Sequence, residues 1–254
     1  MAFEIRSNAA TTACNPAIRS ACTLCPVGSH CVTAGLPQAD MQRWAGVMIP
    51  HLPLAQAGKS LYAAGATADC VYVVRAGCIK TYTVDGEGNE RVRGFFLPGD
   101  VVGLDAIGIG HYPENAVTVV GSQVCRVSKG QLQGLLVSAP ALNQRVMERL
   151  TGELRLALAL GGDYSADQRV ASFLLHIQER LNGVGNTVKL PMSRRDIASY
   201  LRLATETVCR VLTRFEDKGW IVSADKTVTL REPSALWTLA EPVGICRPRL
   251  RLAA

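Results

Sequence analysis

The chain has 254 residues, of which 48% are hydrophobic and 19% are charged, and its formal net charge is +6. This length fits two domains, or one domain with an extension, and the apolar content is ample for packed cores. No run of about 20 uncharged apolar residues and no signal-peptide pattern is present, so we expect neither a membrane span nor export, but a cytoplasmic location. The mild basic excess permits a nucleic-acid partner without indicating one.

Residues 1–36 are predicted to form an irregular arm that carries clustered cysteines. The stretch CTLCPVGSHC spaces Cys22, Cys25 and Cys31 as C-x2-C-x5-C. The nine cysteines of the chain are an odd number, which argues against a disulfide framework in a cytoplasmic protein. Three thiols are one short of a closed tetrahedral zinc site or of a four-cysteine iron–sulfur site. From these residues alone, both kinds of metal site stay open.

Residues 37–138 are predicted to form a β-roll sensor domain. A short helix is expected from Pro37, and β-rich runs then alternate with glycine-containing turns. Strands of this length and spacing are typical of an all-β barrel or jelly roll. The runs are VYVVRAG, IKTYTV, RVRGFFL, AVTVVGS and QVCRVS.

Residues 139–162 are predicted to form one long helix with an apolar seam that steps by three and four residues. A narrow seam of this kind is typical of two helices that pair, so the segment predicts a homodimer. The alternative is a helix docked on its own barrel. The predicted seam consists of Met147, Leu150, Leu154, Ala157 and Gly161, and none of them is acidic.

Residues 163–254 are predicted to form a winged helix-turn-helix domain. Ser193 is expected to cap the first helix of the pair, with Asp196 completing a capping box, and Thr205 is expected to cap the second. The spacing on the second helix predicts an apolar face that packs against the first. This face consists of Val208, Val211, Leu212 and Phe215.

The opposite face of the second helix presents Glu206, Cys209 and Arg210. An arginine can donate two hydrogen bonds to guanine O6 and N7, and a carboxylate can accept one from cytosine N4. The presence of Glu206 and Arg210 is explained equally well by an ordinary solvent-exposed ion pair one helical turn apart. The strands GWIV and TVTL, joined by SADK, indicate a wing and favour DNA binding. The candidate phosphate contacts are Ser193, Arg194, Arg195 and Lys226.

The order of cysteine arm, β-roll, long helix and winged helix resembles the FNR branch of the CRP/FNR transcription regulators, over residues 14–240. The motifs that carry the resemblance are CTLC-PVGSHC, PGDVVGLDAIGIGHYP and ETVCR. The resemblance implies an α+β fold with a cyclic-nucleotide-binding-like β-roll, a dimerisation helix and a C-terminal winged helix-turn-helix. One departure is Cys209, because FNR-like recognition helices usually have serine at this position of E-x-x-S-R.

In FNR-like proteins three arm cysteines and one β-roll cysteine hold a [4Fe-4S] cluster, so the resemblance implies Cys22, Cys25, Cys31 and Cys125 as ligands. It also implies that the cluster promotes dimerisation and binding to a TTGAT-type palindrome in double-stranded DNA when oxygen is low. The acidic turn at residues 85–90 matches a loop that contacts RNA polymerase in the family. Glu114 stands where cyclic-nucleotide sensors have a phosphate-binding arginine, so no cyclic nucleotide is expected.

Two other interpretations remain from the sequence. The same DNA-binding regulator is expected to respond to zinc or to thiol–disulfide chemistry if the cysteines hold no iron. An iron–sulfur electron carrier is a weaker alternative, since it leaves the winged helix unexplained. An enzyme is not expected, because no nucleophile–base set, phosphate loop or HExxH motif is present.

Overall fold

A computed structural model of the chain describes residue 22, residues 25–181 and residues 186–243. Most of the predicted arm, with Cys14, and the basic tail RPRLRLAA lie outside the described residues. The predicted α+β architecture is confirmed in the part that is described, with an N-terminal β-roll and a C-terminal helical domain that contains a small sheet. No helix in the described ranges is long and apolar enough to cross a membrane.

The β-roll is an antiparallel sheet in the order β1–β6–β3–β4, with β2 added to β6 and β5 added to β3. Its first helix, α1, packs its buried Trp44 into the same core as Val73 and Val127 of the sheet. The elements are α1 (Gln38–Val47), β1 (Ile49–Leu54), β2 (Ser60–Tyr62), β3 (Cys70–Val84), β4 (Glu90–Phe96), β5 (Val101–Val102) and β6 (Asn115–Ser128).

Strands β3 and β6 are longer than the sequence runs suggested. VYVVRAG and IKTYTV lie in the single strand β3, and AVTVVGS and QVCRVS both lie in β6. The register between the two strands shifts near Gly77, whose φ is 87°. A Cβ at this glycine would lie 2.2 Å from the Ser122 hydroxyl oxygen, so only glycine fits. The expected turn is therefore a β-bulge inside a continuous ribbon.

Two helices connect the roll to the C-terminal domain, α2 (Lys129–Ser138) and α3 (Pro140–Gly161). They are separate because Pro140 occupies the first turn of α3, where its missing N–H costs no hydrogen bond. Leu142 and Val146 of α3 are buried against the roll. One face of the long helix is thus docked on its own domain.

The C-terminal domain places two helices, α5 and α6, beside a three-stranded sheet in the order β7–β9–β8. The hairpin β8–β9 is the predicted wing, and β7 adds a third strand. Phe215 of α6 is completely buried at the centre of this core. The elements are α4 (Ala166–Leu181), β7 (Thr187–Lys189), α5 (Arg194–Leu201), α6 (Thr205–Asp217), β8 (Ile221–Ala224), β9 (Thr227–Leu230) and α7 (Pro233–Ala240).

The helix caps agree with the sequence at α5 and differ at α6. Ser193 caps α5 by accepting a hydrogen bond from the Asp196 N–H at 3.0 Å. The prediction that Thr205 caps α6 is wrong, because the cap position is Ala204 and it makes no side-chain cap hydrogen bond. The reason is a tight turn, in which Arg202 takes a left-handed conformation with φ 57° and the helix starts one residue early.

The β-roll and the C-terminal domain pack on each other through an aromatic cluster. The ring of Phe95 on β4 lies 6.3 Å from that of Phe173 on α4 and 5.2 Å from that of Tyr200 on α5. Beside it, the Lys80 ammonium group of β3 lies 2.8 Å from the Asp196 carboxylate at the start of α5. The two domains therefore share one apolar core with an ion pair at its edge.

Candidate functional site

The cysteine loop folds into successive hydrogen-bonded turns of main chain beside the roll. The N–H of Gly28 donates to the carbonyl of Cys25 at 3.2 Å, and the N–H of Ala34 donates to the carbonyl of Cys31 at 2.9 Å. The loop crosses the PGD turn at Gly99, where a Cβ would lie 2.3 Å from the carbonyl oxygen of His30. The glycine of this motif is thus required by the close approach of the arm.

The four predicted metal ligands line one cavity of about 270 Å³ between the arm and the roll. Cys125 reaches it from β6, where it pairs with Val73 of β3, and the remaining wall includes Trp44 and Met48. All four cysteines are half-buried and none forms a disulfide. Within the described residues, no three His, Cys, Asp or Glu side chains are arranged to hold a single metal ion. The four cysteines that line the cavity are Cys22, Cys25, Cys31 and Cys125.

The other three cysteines of the cavity affect the pKa of the Cys22 thiol. Burial, together with the neighbouring thiols of Cys31, Cys125 and Cys25 in decreasing order, raises the pKa of Cys22 to about 12. Metals bind the thiolate form, so binding at this cavity must release protons. A cationic centre offsets the mutual repulsion of the thiolates.

The donor set and the size of the cavity both fit an iron–sulfur cluster. Sulfur donors with an apolar surround are the usual environment of such clusters. The cavity of about 270 Å³ also exceeds what a tetrahedral zinc ion needs, since its sulfur ligands lie about 2.3 Å from the metal. The residues that are present therefore accommodate a group larger than one ion.

Helix α6 presents the predicted base contacts on its outer face. Its apolar residues Val208 and Val211 are fully buried, as the spacing predicted, and Cys209 is exposed. Arg210 donates a hydrogen bond to Glu206 at 2.6 Å, and about three quarters of each side chain is exposed. The alternative Glu–Arg pair therefore forms in the free chain. An exposed pair of this kind is weak and does not prevent either residue from turning to a base.

The candidate phosphate contacts lie at the start of α5 and at the tip of the wing. Ser193, Arg195 and Lys226 are exposed, and Arg194 is half-exposed. The N–H of Leu190 donates to the carbonyl of Lys226 at 2.6 Å, which holds the wing tip close to the chain entering α5. The serine hydroxyl also donates to the Asp196 carboxylate, so it is engaged in its cap.

The predicted seam of α3 is largely exposed, except at Leu150, which packs against the core of the roll. Met147 and Leu154 are exposed at 53% and 59%, and Leu150 is half-buried. Ala157 and Gly161 are also exposed. Leu158 is exposed at 67% and was missed, although its spacing of four residues from Leu154 was a visible signal.

The region that matches a cyclic-nucleotide pocket is lined by both carboxylates and arginines. Glu114 forms an ion pair with Arg93 at 3.3 Å, and both line a cavity of about 500 Å³ beneath α3. Asp105 lies in the same wall, and burial raises its pKa. Arginines also line this cavity, and the ion pair with Glu114 neutralises part of the positive charge that a cyclic phosphate needs.

Comparison with known proteins gives the same two domains. Residues 54–138 match a model of the cyclic nucleotide-binding domain, and residues 168–239 match a model of the Crp-like helix-turn-helix domain. Both matches fall inside the predicted domains, whose bounds stay a prediction. The fumarate and nitrate reduction regulatory protein of Escherichia coli (strain K12) is 32% identical over 225 residues, which cover 86% of this chain and 90% of the relative. The Salmonella typhi protein of the same name matches to the same extent.

Solved structures show the same fold. FixK2 from Bradyrhizobium japonicum superposes with a TM-score of 0.66 and 31% identity, over 74% of this chain and 96% of that chain. A CRP-family transcriptional regulator from Thermus thermophilus, at 19% identity and a TM-score of 0.61, supports the fold alone. The chain is therefore a DNA-binding transcription regulator with a Crp-like helix-turn-helix, and it belongs to the CRP/FNR family, whose members are generally dimers and not enzymes.

Proposed function

We propose that this regulator responds to oxygen through a [4Fe-4S] cluster held by Cys22, Cys25, Cys31 and Cys125. The observation that carries the proposal is the single cavity that all four cysteines line, in a chain 32% identical to fumarate and nitrate reduction regulatory proteins. When bound, the cluster supplies an oxygen-sensitive group that ties the arm to the roll.

The residues of the chain account for how the state of the arm affects dimerisation and DNA binding. The four cysteines hold the arm on β6, and the exposed seam of α3 pairs with its copy in a second chain. The dimer presents two α6 helices about one DNA turn apart, or roughly 34 Å, to a TTGAT-type palindrome. A group that favours the paired state by a few kcal/mol changes the population of DNA-binding dimers by orders of magnitude.

Air exposure tests this proposal directly. Protein purified without oxygen is expected to bind a duplex carrying the TTGAT palindrome and to lose about tenfold or more of that affinity after exposure to air. Fluorescence anisotropy measures both states, with a duplex of scrambled half-sites as the control. Equal affinity before and after air would contradict the oxygen response while leaving the DNA-binding assignment in place.

Two further parts of the proposal concern partners. The turn at residues 85–90 is held rigid by Asp85, which accepts hydrogen bonds from the N–H groups of Glu87 and Asn89 at 3.1 and 2.8 Å. We assign this acidic turn to a contact with RNA polymerase. The ion pair of Glu114 with Arg93 supports a regulator that takes no cyclic nucleotide. The proposed location of the protein is the cytoplasm.

The seam of α3 predicts a dimer that a single acid disrupts. Leu154→Glu is expected to weaken dimerisation at least about 100-fold, because two like charges then meet in an apolar interface. Sedimentation velocity measures the effect. Val137→Glu is the matched control, since Val137 is 86% exposed on α2 and lies off the seam.

No acid lies on the seam of the natural chain, so dimerisation is expected to depend only partly on the cluster. The cluster-free protein should therefore still form dimers at micromolar concentration. A strictly monomeric cluster-free protein at that concentration, or equal dimerisation of the Leu154→Glu and Val137→Glu variants, would contradict this account of the seam.

Cys209 is expected to relax the choice of base at the position it faces. Its thiol is a weak hydrogen bonder, whereas the serine usual in FNR-like helices is a strong one. Cys209→Ser should sharpen discrimination at that base pair about three- to tenfold, which is the worth of one hydrogen bond. Binding to duplexes randomised at this position measures the change, and an unchanged base preference would remove Cys209 from base contact.

A further inference from the structure

Asp100 lies in the PGD turn between β4 and β5, where one carboxylate contacts three parts of the fold. Its Oδ2 accepts a hydrogen bond from the N–H of Leu97 at 2.8 Å, which fixes the turn. Its Oδ1 lies 3.4 Å from a guanidinium nitrogen of Arg149 on α3 and is also ion-paired with Arg180 on α4. One carboxylate oxygen therefore joins the long helix to the DNA-binding domain.

Arg149 extends this network into the cysteine arm. Its second guanidinium nitrogen donates to the carbonyl oxygen of His30, the residue before Cys31. The same carbonyl lies against Gly99, the neighbour of Asp100. The arm, the roll, the long helix and α4 thus meet at one point.

The network is half-buried, which makes its parts depend on one another. The side chains of Arg180, Asp100 and Arg149 are exposed at only 15%, 19% and 26%. Without the carboxylate, two guanidinium groups would face each other in a poorly hydrated place. Removing one member of a shielded charge group costs far more than removing an exposed pair, because the remaining charges lose their partner.

We propose that Asp100 and Arg149 are positioning residues that couple the cysteine arm to the DNA-binding domain through Arg180. Displacement of the main chain at His30 releases Arg149, and the carboxylate then loses one of the two arginines that orient it towards α4. Coupling between two sites is reciprocal, so a change on α4 must equally change the arm. This inference holds whichever group the four cysteines bind.

Among the described residues, the aromatic and Lys80 contacts between the two domains involve no residue of the arm. Phe95 packs on Phe173 and Tyr200, and Lys80 pairs with Asp196, in each case between the roll and the C-terminal domain. These contacts keep the domains docked when the Asp100 network is broken. Variants of the network are therefore expected to remain folded.

Amide hydrogen exchange of the arm tests the coupling in the full-length protein. Arg180→Gln changes only α4, yet it is expected to speed exchange in peptides covering residues 25–36 about fivefold or more. Asp100→Asn should speed exchange at least as much, because it weakens the pairs with both arginines. The Asp100→Asn/Arg180→Gln double variant should add nothing to Asp100→Asn alone, because Arg180 acts on the arm through Asp100. Arg180→Lys keeps the charge and serves as the conservative variant.

Two control variants separate this coupling from a general loss of stability. Arg214→Gln removes the 2.8 Å pair with Asp167 on the same α4, and Gln144→Ala removes an exposed 3.2 Å hydrogen bond to Glu148 on the same α3. Neither should change exchange in the arm, and peptides of β3 should exchange alike in all variants. Unchanged exchange of the arm in Arg180→Gln, or equal acceleration in Arg214→Gln, overturns the proposal. Neither result bears on the metal content or on oxygen, so the proposed function is tested separately.

Discussion

Cys125→Ser is expected to abolish the oxygen response and to lower DNA affinity without oxygen by about 100-fold, near the upper end of ordinary coupling between sites. Cys125 is the only one of the four proposed ligands that belongs to the roll. Without it, the three arm cysteines keep no covalent connection to β6 through the cluster. Serine is close to cysteine in size, so the half-buried position on the strand is kept. Anisotropy titrations with and without air measure both effects.

Cys70→Ser is the matched control for this variant. Cys70 is also half-buried and lies on β3, but it does not line the cavity of the four proposed ligands. The Cys70→Ser variant should bind DNA and respond to air as the natural chain does. If Cys125→Ser kept the full oxygen response, Cys125 would not be a ligand and the sensing group would lie elsewhere.

Arg210→Met is expected to lower affinity for the specific site by about 1–3 kcal/mol, or roughly 5- to 150-fold, by removing both hydrogen bonds to guanine. Binding to unrelated duplex DNA should fall far less, because methionine removes one positive charge only. Competition titrations with specific and scrambled duplexes measure the ratio of the two affinities.

Arg214→Met provides the comparison for Arg210→Met, since it removes the same charge one turn further along α6. Arg214 is half-exposed and pairs with Asp167 of α4 at 2.8 Å. Its replacement should weaken specific and unrelated binding to a similar small degree. Equal loss of specificity in the two variants would mean that Arg210 makes no particular contact with a base.

Local sequence patterns predicted the helix-turn-helix well. The buried residues of α6 follow a period of 3.6 within eight positions, and the cap at Ser193 depends on residues three apart. Such signals need no knowledge of distant residues. The error at Thr205 is of one residue, and it arises from the left-handed Arg202. A left-handed residue other than glycine leaves no clear mark in the sequence.

Contacts between residues far apart in the sequence could not be predicted from local patterns. The spacing of the arm cysteines is local and was visible, but the approach of Cys125 depends on strand register and came only from the family resemblance. The bulge at Gly77 looked like a turn, because a glycine signals either one. The Asp100 network has no local signal, since His30, Arg149 and Arg180 are far apart in the chain.

The measurement that tests the central claim most directly is the iron, sulfide and zinc content of protein purified without oxygen, together with its visible spectrum. The account predicts about four irons and four sulfides per chain, bleached by air and absent in the Cys125 variant. Zinc in place of iron, or no metal at all, would contradict it. The DNA-binding regulator would then remain, with its response carried by zinc or thiol chemistry at the arm.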